Sequence, residues 1–146
     1  MKDAGFEFKE HTADIRVKSW GRTLEEAFSQ TALSLMTTIS PNLTKIDPKI
    51  EKTIKISSED IGALLFDFLS EFLYIFDVEG LIFSQITVVS IDKIKSDQFL
   101  LQAYTKGEKF NSEKHEIGTE VKAITYSFMN IEQSDQKVII EIVFDI

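Results

Sequence analysis

The sequence predicts an α+β fold in a single domain over residues 1–146, with mostly antiparallel β-sheets packed against two amphipathic helices. Two segments repeat apolar residues at helical spacing, while the remaining apolar segments alternate with a period of two. The strand-like segments cluster after the second helix and do not alternate with helices, which favours α+β over a doubly wound parallel sheet. The length of 146 residues suits one domain with a sizeable core.

The first helix is predicted to begin after Thr23, because Thr23 and Glu26 have the spacing of a capping box. Its apolar face consists of Leu24, Phe28, Leu35, Met36 and Ile39. The helix is expected to end before Pro41, which cannot continue it. The polar residues 40–52 then predict a loop that leads into a strand over residues 53–56.

The most apolar segment, residues 61–76, carries the i, i+3, i+4, i+7 pattern of an amphipathic helix. Its polar side contains Asp67, Ser70, Glu71 and Tyr74. The segment is too short and too charged to span a membrane. We predict a central buried helix that is capped by Ser57 or Ser58.

Alternation with a period of two predicts strands around residues 14–18 and over residues 82–91, 99–104, 121–131 and 138–144. Gly107 and the polar residues 134–136 are interpreted as breaks between strands. The last two strands are predicted to form an antiparallel hairpin.

The composition restricts the function before any motif is considered. The chain has no cysteine, which excludes disulfides, cysteine-based zinc sites and a thiol nucleophile. Its 24 acidic and 16 basic residues give a net charge of -8, so direct binding of nucleic acid is not expected. The N-terminal residues lack the apolar stretch of a signal peptide, and we expect a cytoplasmic protein without membrane association.

The C-terminal residues form the most unusual candidate site. An apolar strand continues to the last residue of the sequence, where the backbone carboxylate of Ile146 can bend beside the carboxylate of Asp145. Like charges this close raise each other's proton affinity unless a cation neutralises them. With Asp14 from another strand, they would form an all-oxygen pocket suited to Ca²⁺ or Mg²⁺. In the alternative interpretation, Asp145 is simply solvated and Asp14 pairs with Arg16 or a lysine.

Other polar residues are weaker candidates. His11 and His115 are the only histidines, so a general base would be one of them, although each can equally be a surface or hydrogen-bonded loop residue. Glu108 is placed with His115 in a loop between two strands. Lys122 can contact a phosphate or carboxylate, or only blunt a strand edge. The sequence has no G-x-S-x-G elbow and no glycine-rich phosphate loop, which argues against acyl and phosphoryl transfer.

Five segments taken together resemble the archease family. They are an aromatic strand with H-T-A-D-I over residues 6–15, T-L-E-E-A-F over residues 23–28, a G-E…H loop at Gly107, Glu108 and His115, K-A-I-T-Y over residues 122–126, and the final D-I. The resemblance covers essentially the whole chain. Asn111 and Ser127 depart from the commonest form of the family pattern.

The resemblance implies an accessory protein of the tRNA-splicing RNA ligase, the enzyme that joins a 2′,3′-cyclic phosphate or 3′-phosphate end to a 5′-hydroxyl. Archeases are not ligases themselves but help the ligase to complete its nucleotide-dependent guanylylation and to turn over repeatedly. The metal ligands implied are Asp14, Asp145 and Ile146, with Ca²⁺ expected first and Mg²⁺ second. Five further residues are then candidates for contacts to the partner or to the ligands: His11, Glu108, His115, Glu120 and Lys122.

Two other classes of function stay open at this point. In the first, the chain is a small metal-dependent hydrolase, with Asp14 and Asp145 binding the ion and His11 acting as the base. In the second, it is a chaperone-like interaction module in which the acids are ordinary surface charges.

Overall fold

The computed structural model describes residues 3–9 and 14–146. Eight strands and two α-helices follow one another in this part of the chain: β1 (Gly5–Lys9), β2 (Asp14–Gly21), α1 (Leu24–Ile39), β3 (Ile50–Ser58), α2 (Ile61–Glu79), β4 (Leu81–Lys95), β5 (Gln98–Lys109), β6 (Ala123–Ile124), β7 (Asn130–Gln133) and β8 (Val138–Asp145). A short 3₁₀ turn, Leu43–Lys45, lies between α1 and β3.

The strands form two antiparallel sheets. The first has the order β1-β2-β8-β6, and β7 pairs with the other end of β8. The second has the order β3-β5-β4. The α+β class with two helices and antiparallel sheets is therefore confirmed, as is the predicted hairpin of the last two strands.

Both helices pack against both sheets. Helix α1 contacts β2 and β4, while α2 contacts β3, β5 and β6. The inward residues of β8 are buried, and the largest buried side chains of the helices are aromatic and aliphatic: Phe28, Leu35 and Met36 from α1, and Leu64, Phe68 and Phe72 from α2. This central core leaves the other side of each sheet free to carry polar groups.

The first helix begins and ends as its sequence pattern predicts. The Thr23 hydroxyl accepts a hydrogen bond from the main-chain N–H of Glu26 at 3.1 Å. The Glu26 carboxylate accepts one from the N–H of Arg22 at 3.0 Å, one residue earlier than a standard capping box. The helix ends at Ile39, two residues before Pro41.

The second helix is longer than predicted and has a different cap. Asp60, not Ser57 or Ser58, caps it, and its carboxylate accepts a hydrogen bond from the N–H of Ala63 at 2.7 Å. Ser58 is the last residue of β3, which excludes it from the cap position. The helix continues to Glu79 because Gly80 adopts the left-handed conformation, with φ 68°, that ends helices well.

The predicted strand over residues 121–131 is wrong. It divides into β6 and β7, which pair with different parts of β8, and a turn separates them. The Thr125 hydroxyl accepts a hydrogen bond from the N–H of Ser127 at 3.2 Å, and Phe128 has a positive φ of 56°. Local hydrogen bonding of this kind competes with the β-sheet ladder, which alternation in the sequence does not reveal.

Gly107 lies inside β5 and is not a break between strands. It pairs with Ile50 of β3 and Phe83 of β4, so both neighbouring strands continue past it. Glu108, the next residue, is likewise in the strand and not in a loop. A glycine is required here because the main chain of β4 approaches too closely for a side chain.

Residues 116–119 cover the C-terminal end of α1. The N–H of Gly118 donates to the carbonyl of Ile39 at 2.9 Å, and that of Thr119 donates to the carbonyl of Thr38 at 2.8 Å. These bonds satisfy two carbonyls that a helix end otherwise leaves without partners. They also direct the following residues toward β8.

Among the residues that the structure describes, no helix is both long enough and apolar enough to cross a membrane.

Candidate metal centre

The register of the first sheet places Asp14 directly opposite Asp145. Strands β2 and β8 are antiparallel, and these two residues form the last pair of their ladder. Opposed residues in an antiparallel pair point to the same side of the sheet, with Cβ atoms about 5 Å apart. Asp14 is half-buried and Asp145 is exposed. The two aspartates, far apart in the sequence, therefore meet at one corner of the sheet.

The edge of β8 that faces away from β2 pairs with residues 122–124, which follow the segment that covers the end of α1. The main-chain N–H of Lys122 donates to the carbonyl of Asp145 at 2.8 Å, and Ala123 pairs with Asp145. The side chain of Ile146 is half-buried and packs against the core. The main chain around Asp145 is thereby held from both sides, which limits the fraying usual near a strand end.

Two carboxylates facing each other across neighbouring strands repel, and this arrangement is unfavourable unless a positive charge lies between them. Hard divalent cations prefer carboxylate and main-chain oxygens of this kind. In residues 3–9 and 14–146 no group of three His, Asp or Glu side chains is placed to hold a metal ion. The structure brings together two of the three predicted ligands, Asp14 and Asp145, and Ile146 follows Asp145 directly in the chain.

The arginine near this corner has other partners. The Arg16 guanidinium lies 3.5 Å from the carboxylate of Glu141 and 4.9 Å from the centre of the Phe128 ring. Lys9 also contacts Glu141, at 3.2 Å. The hydrogen bonds and charges of these two cations lower the pKa of Glu141, and Lys9 is the larger cause. Lys9 and Arg16 therefore both pair with Glu141.

Glu108 is the centre of a second, structurally distinct cluster. Its carboxylate accepts hydrogen bonds from Lys114 Nζ at 2.7 Å, from the main-chain N–H of Asp47 at 2.8 Å and from His115 Nε2 at 2.9 Å. Burial by itself would raise the pKa of Glu108, but these three donors together outweigh it and lower the pKa to about 2. Glu108 is therefore ionised at neutral pH.

His115 holds a loop to β5 and is not placed as a general base. Its side chain is fully buried, its Nδ1 accepts a hydrogen bond from the N–H of Asn111 at 2.9 Å, and its Nε2 donates to Glu108. Both ring nitrogens are thus occupied, which assigns the neutral tautomer with the proton on Nε2. The hydrogen-bonded loop histidine is the better interpretation.

The remaining candidates have different positions. Glu120 and Lys122 line an open cleft of about 500 Å³ between α2 and residues 117–122, whose apolar walls include Leu73, Phe76 and Phe110. Both side chains are exposed. His11 lies outside the described residues. The structure thus unites Asp14 with Asp145 and Glu108 with His115, in two separate places.

Comparison with known proteins shows the family. The model of the archease protein family matches residues 6–146. An archease from Pyrococcus furiosus is 47% identical over 128 residues, covering 88% of each chain. The chain therefore belongs to the archease family.

Solved structures share the fold. The solution structure of Methanobacterium thermoautotrophicum protein 1598 is 35% identical, has a TM-score of 0.83 and is aligned over 97% of this chain and 99% of the other. The crystal structure of a Thermotoga maritima archease, described as a possible chaperone, has a TM-score of 0.59 at 23% identity and covers 94% of each chain.

Proposed function

We propose that this protein activates a tRNA-splicing RNA ligase in the cytoplasm, and that it does so through a cation held by Asp14, Asp145 and Ile146. The protein is an accessory factor without catalysis of its own, and it promotes the nucleotide-dependent guanylylation and repeated turnover of the ligase. Membership of the archease family supports the accessory role. The observation that carries the cation site is the direct opposition of Asp14 and Asp145.

The chemistry of the corner favours Ca²⁺, with Mg²⁺ as the other hard cation that oxygen ligands accept. When bound, the cation supplies positive charge that a phosphate group of the partner can approach. Asp14 and Asp145 bind it, while Lys122 and β6 hold the main chain of Asp145 in place. A net charge of -8 steers the protein toward a basic RNA-handling enzyme and away from RNA itself.

Calcium titration tests the site directly. We expect the native protein to bind Ca²⁺ in calorimetry and to gain about 2.7 kcal/mol of unfolding free energy at 100 times the dissociation constant. Asp14→Ala and Asp145→Ala should remove both effects, because each leaves only one aspartate beside the Ile146 carboxylate. Asp135→Ala, in the exposed connection between β7 and β8, is the matched control and should bind normally.

Ligase guanylylation tests the function. With the RNA ligase from the same organism and a guanine nucleotide, we expect the native protein and Asp135→Ala to increase guanylylation and repeated turnover. Asp14→Ala and Asp145→Ala should lose the stimulation while keeping the native circular dichroism spectrum. Full stimulation by both aspartate variants would refute the role of the site.

The same protein preparation distinguishes the alternatives. Turnover of a generic phosphoester without any partner, lost in Asp14→Ala, would favour a metal-dependent hydrolase. Stimulation of the ligase that persists in the presence of a chelator would favour a chaperone-like module that uses no cation.

A further inference from the structure

The turn between β6 and β7 presents an aromatic ring to solvent. The Tyr126 ring stacks on that of Phe66 from α2, with centroids 4.4 Å apart and an interplanar angle of 5°. Tyr126 is nevertheless 57% exposed. Because one face of its ring lies against Phe66, the exposed area belongs to the opposite face and the edge. The structure thus holds a flat aromatic surface in a defined position and leaves it uncovered.

The surface of α2 beside this stack is acidic. Asp67, Glu71, Tyr74 and Val78 follow one another at intervals of four, three and four residues, so they form one row along the helix. Tyr74 is 59% exposed and Val78 62% exposed. Over residues 59–79 the chain has no lysine or arginine but six acids: Glu59, Asp60, Asp67, Glu71, Asp77 and Glu79.

The carboxylates lie close enough to affect the hydroxyl of Tyr126. Burial raises the pKa of the Tyr126 hydroxyl, and the negative charges of Asp67, Asp60 and Glu59 raise it further, in that order. Exposed aromatic rings with carboxylates beside them form a binding surface that suits the side chain of arginine. The planar guanidinium of arginine stacks on aromatic faces and at the same time donates hydrogen bonds to carboxylates.

The turn contains an internal example of this pairing. The Arg16 guanidinium lies 4.9 Å from the centre of the Phe128 ring and 3.5 Å from the carboxylate of Glu141. The Phe128 ring and the Glu141 carboxylate thus both contact one arginine of the protein, Arg16. Tyr126, two residues earlier in the same turn, offers a ring and carboxylates to the outside.

We propose that the surface formed by Phe66, Asp67, Glu71, Tyr74 and Tyr126, the aromatic–acidic surface, docks a basic protein surface through arginine side chains. Its negative charge repels the phosphates of nucleic acid, which leaves a protein as the fitting partner.

The position of this surface links it to the candidate metal centre. Ala123, three residues before Tyr126, pairs with Asp145, and the Thr125 hydroxyl donates to the carbonyl of Val143 at 3.1 Å. A protein docked on the surface therefore lies beside the end of β8. The docking chemistry holds whether or not that protein is an RNA ligase.

Peptide binding to the full chain separates arginine recognition from simple charge attraction. We expect octa-arginine to bind about fivefold more tightly than octa-lysine at physiological salt, with NMR shifts confined to α2 and residues 125–129. Tyr126→Ser should abolish this preference, and Tyr126→Phe should retain it because the ring is kept. Asp67→Lys combined with Glu71→Lys should weaken both peptides at least tenfold.

The control is Tyr104→Ser, since Tyr104 is 51% exposed on the outer side of the second sheet. It should keep the arginine preference. Equal affinity for the two peptides, or an unchanged preference in Tyr126→Ser, would overturn the proposal. Binding of octa-uridine that is lost in Tyr126→Ser would also overturn the proposal, because it would identify RNA as the occupant of the surface. Self-association that the same variant abolishes would overturn it by identifying a second copy of the chain as the occupant.

Discussion

Gly107→Ala is expected to destabilise the protein by about 3 kcal/mol or more. A Cβ atom at this position would lie 1.8 Å from the carbonyl oxygen of Ile82 and 2.7 Å from the Cα of Phe83. Both contacts are with main chain, so no side-chain rotation relieves them. The central strand β5 and its neighbour β4 must separate, and Ile82 and Phe83 of β4 are both fully buried.

Denaturant unfolding measures this loss as a lower midpoint at an unchanged slope. Gly62→Ala is the matched control, since Gly62 lies in the first turn of α2 and its added Cβ would meet only ordinary contacts at 3.4 and 3.5 Å. That variant should gain about 0.5–1 kcal/mol from the lower flexibility of alanine. A Gly107→Ala protein as stable as the native one would show that β4 and β5 tolerate a wider separation.

Glu108→Gln is expected to lose about 2 kcal/mol of stability at pH 7. The neutral amide keeps the size of the side chain but weakens the hydrogen bonds from Lys114, from the N–H of Asp47 and from His115. These bonds connect β5 with the chain before β3 and with the loop after β5. Because Lys114 is partly exposed to solvent, the loss should decrease at high salt.

The pH dependence of this difference has a definite sign. The pKa of Glu108 is lowered to about 2 in the folded protein, below the ordinary value of 4.5. Its stabilising contribution is therefore complete above pH 4.5 and is lost as the pH falls from there toward 2. Unfolding of both proteins at a series of pH values should show the native and Glu108→Gln curves converging in that window.

Glu51→Gln provides the comparison for an ordinary surface ion pair. The Glu51 carboxylate lies 3.3 Å from Lys106 Nζ, and its side chain is 75% exposed. We expect a change within about 0.5 kcal/mol at pH 7. Equal effects of Glu51→Gln and Glu108→Gln would show that the Glu108 cluster contributes no more than a solvent-exposed pair.

The elements differ in how far local sequence signals determine them, and the reasons are physical. The first helix was predicted closely because its cap, apolar face and end are all local signals. The capping residue of α2 was misplaced because Ser57 and Ser58 are equally good caps in isolation, and only their membership of β3 excludes them. The strand over residues 121–131 failed because a single turn, centred on local hydrogen bonds of Thr125, interrupts an alternating pattern.

The functional sites show the same division. Residue type and a place at strand ends single out Asp14 and Asp145 in the sequence. That they oppose each other depends on the β2–β8 register, which adjacent residues do not encode. The roles of Glu108 and His115 follow from their mutual hydrogen bond, which neither residue type nor spacing predicts. The stacking of Phe66 on Tyr126 is not predicted by the sequence, in which Phe66 is only one apolar residue of its helix.

The amino-acid sequence by itself determined the fold class, the two helices and most strands, the absence of cysteine chemistry and the acidic charge. These properties follow from local spacing and composition, which act over a few residues. Only the tertiary structure decided which distant polar groups meet: the aspartates across two strands, the carboxylate beside the buried histidine, and the tyrosine on the acidic helix. Such meetings result from how sheets and helices pack around the common core, since the burial of apolar surface, and not the polar groups, drives that packing.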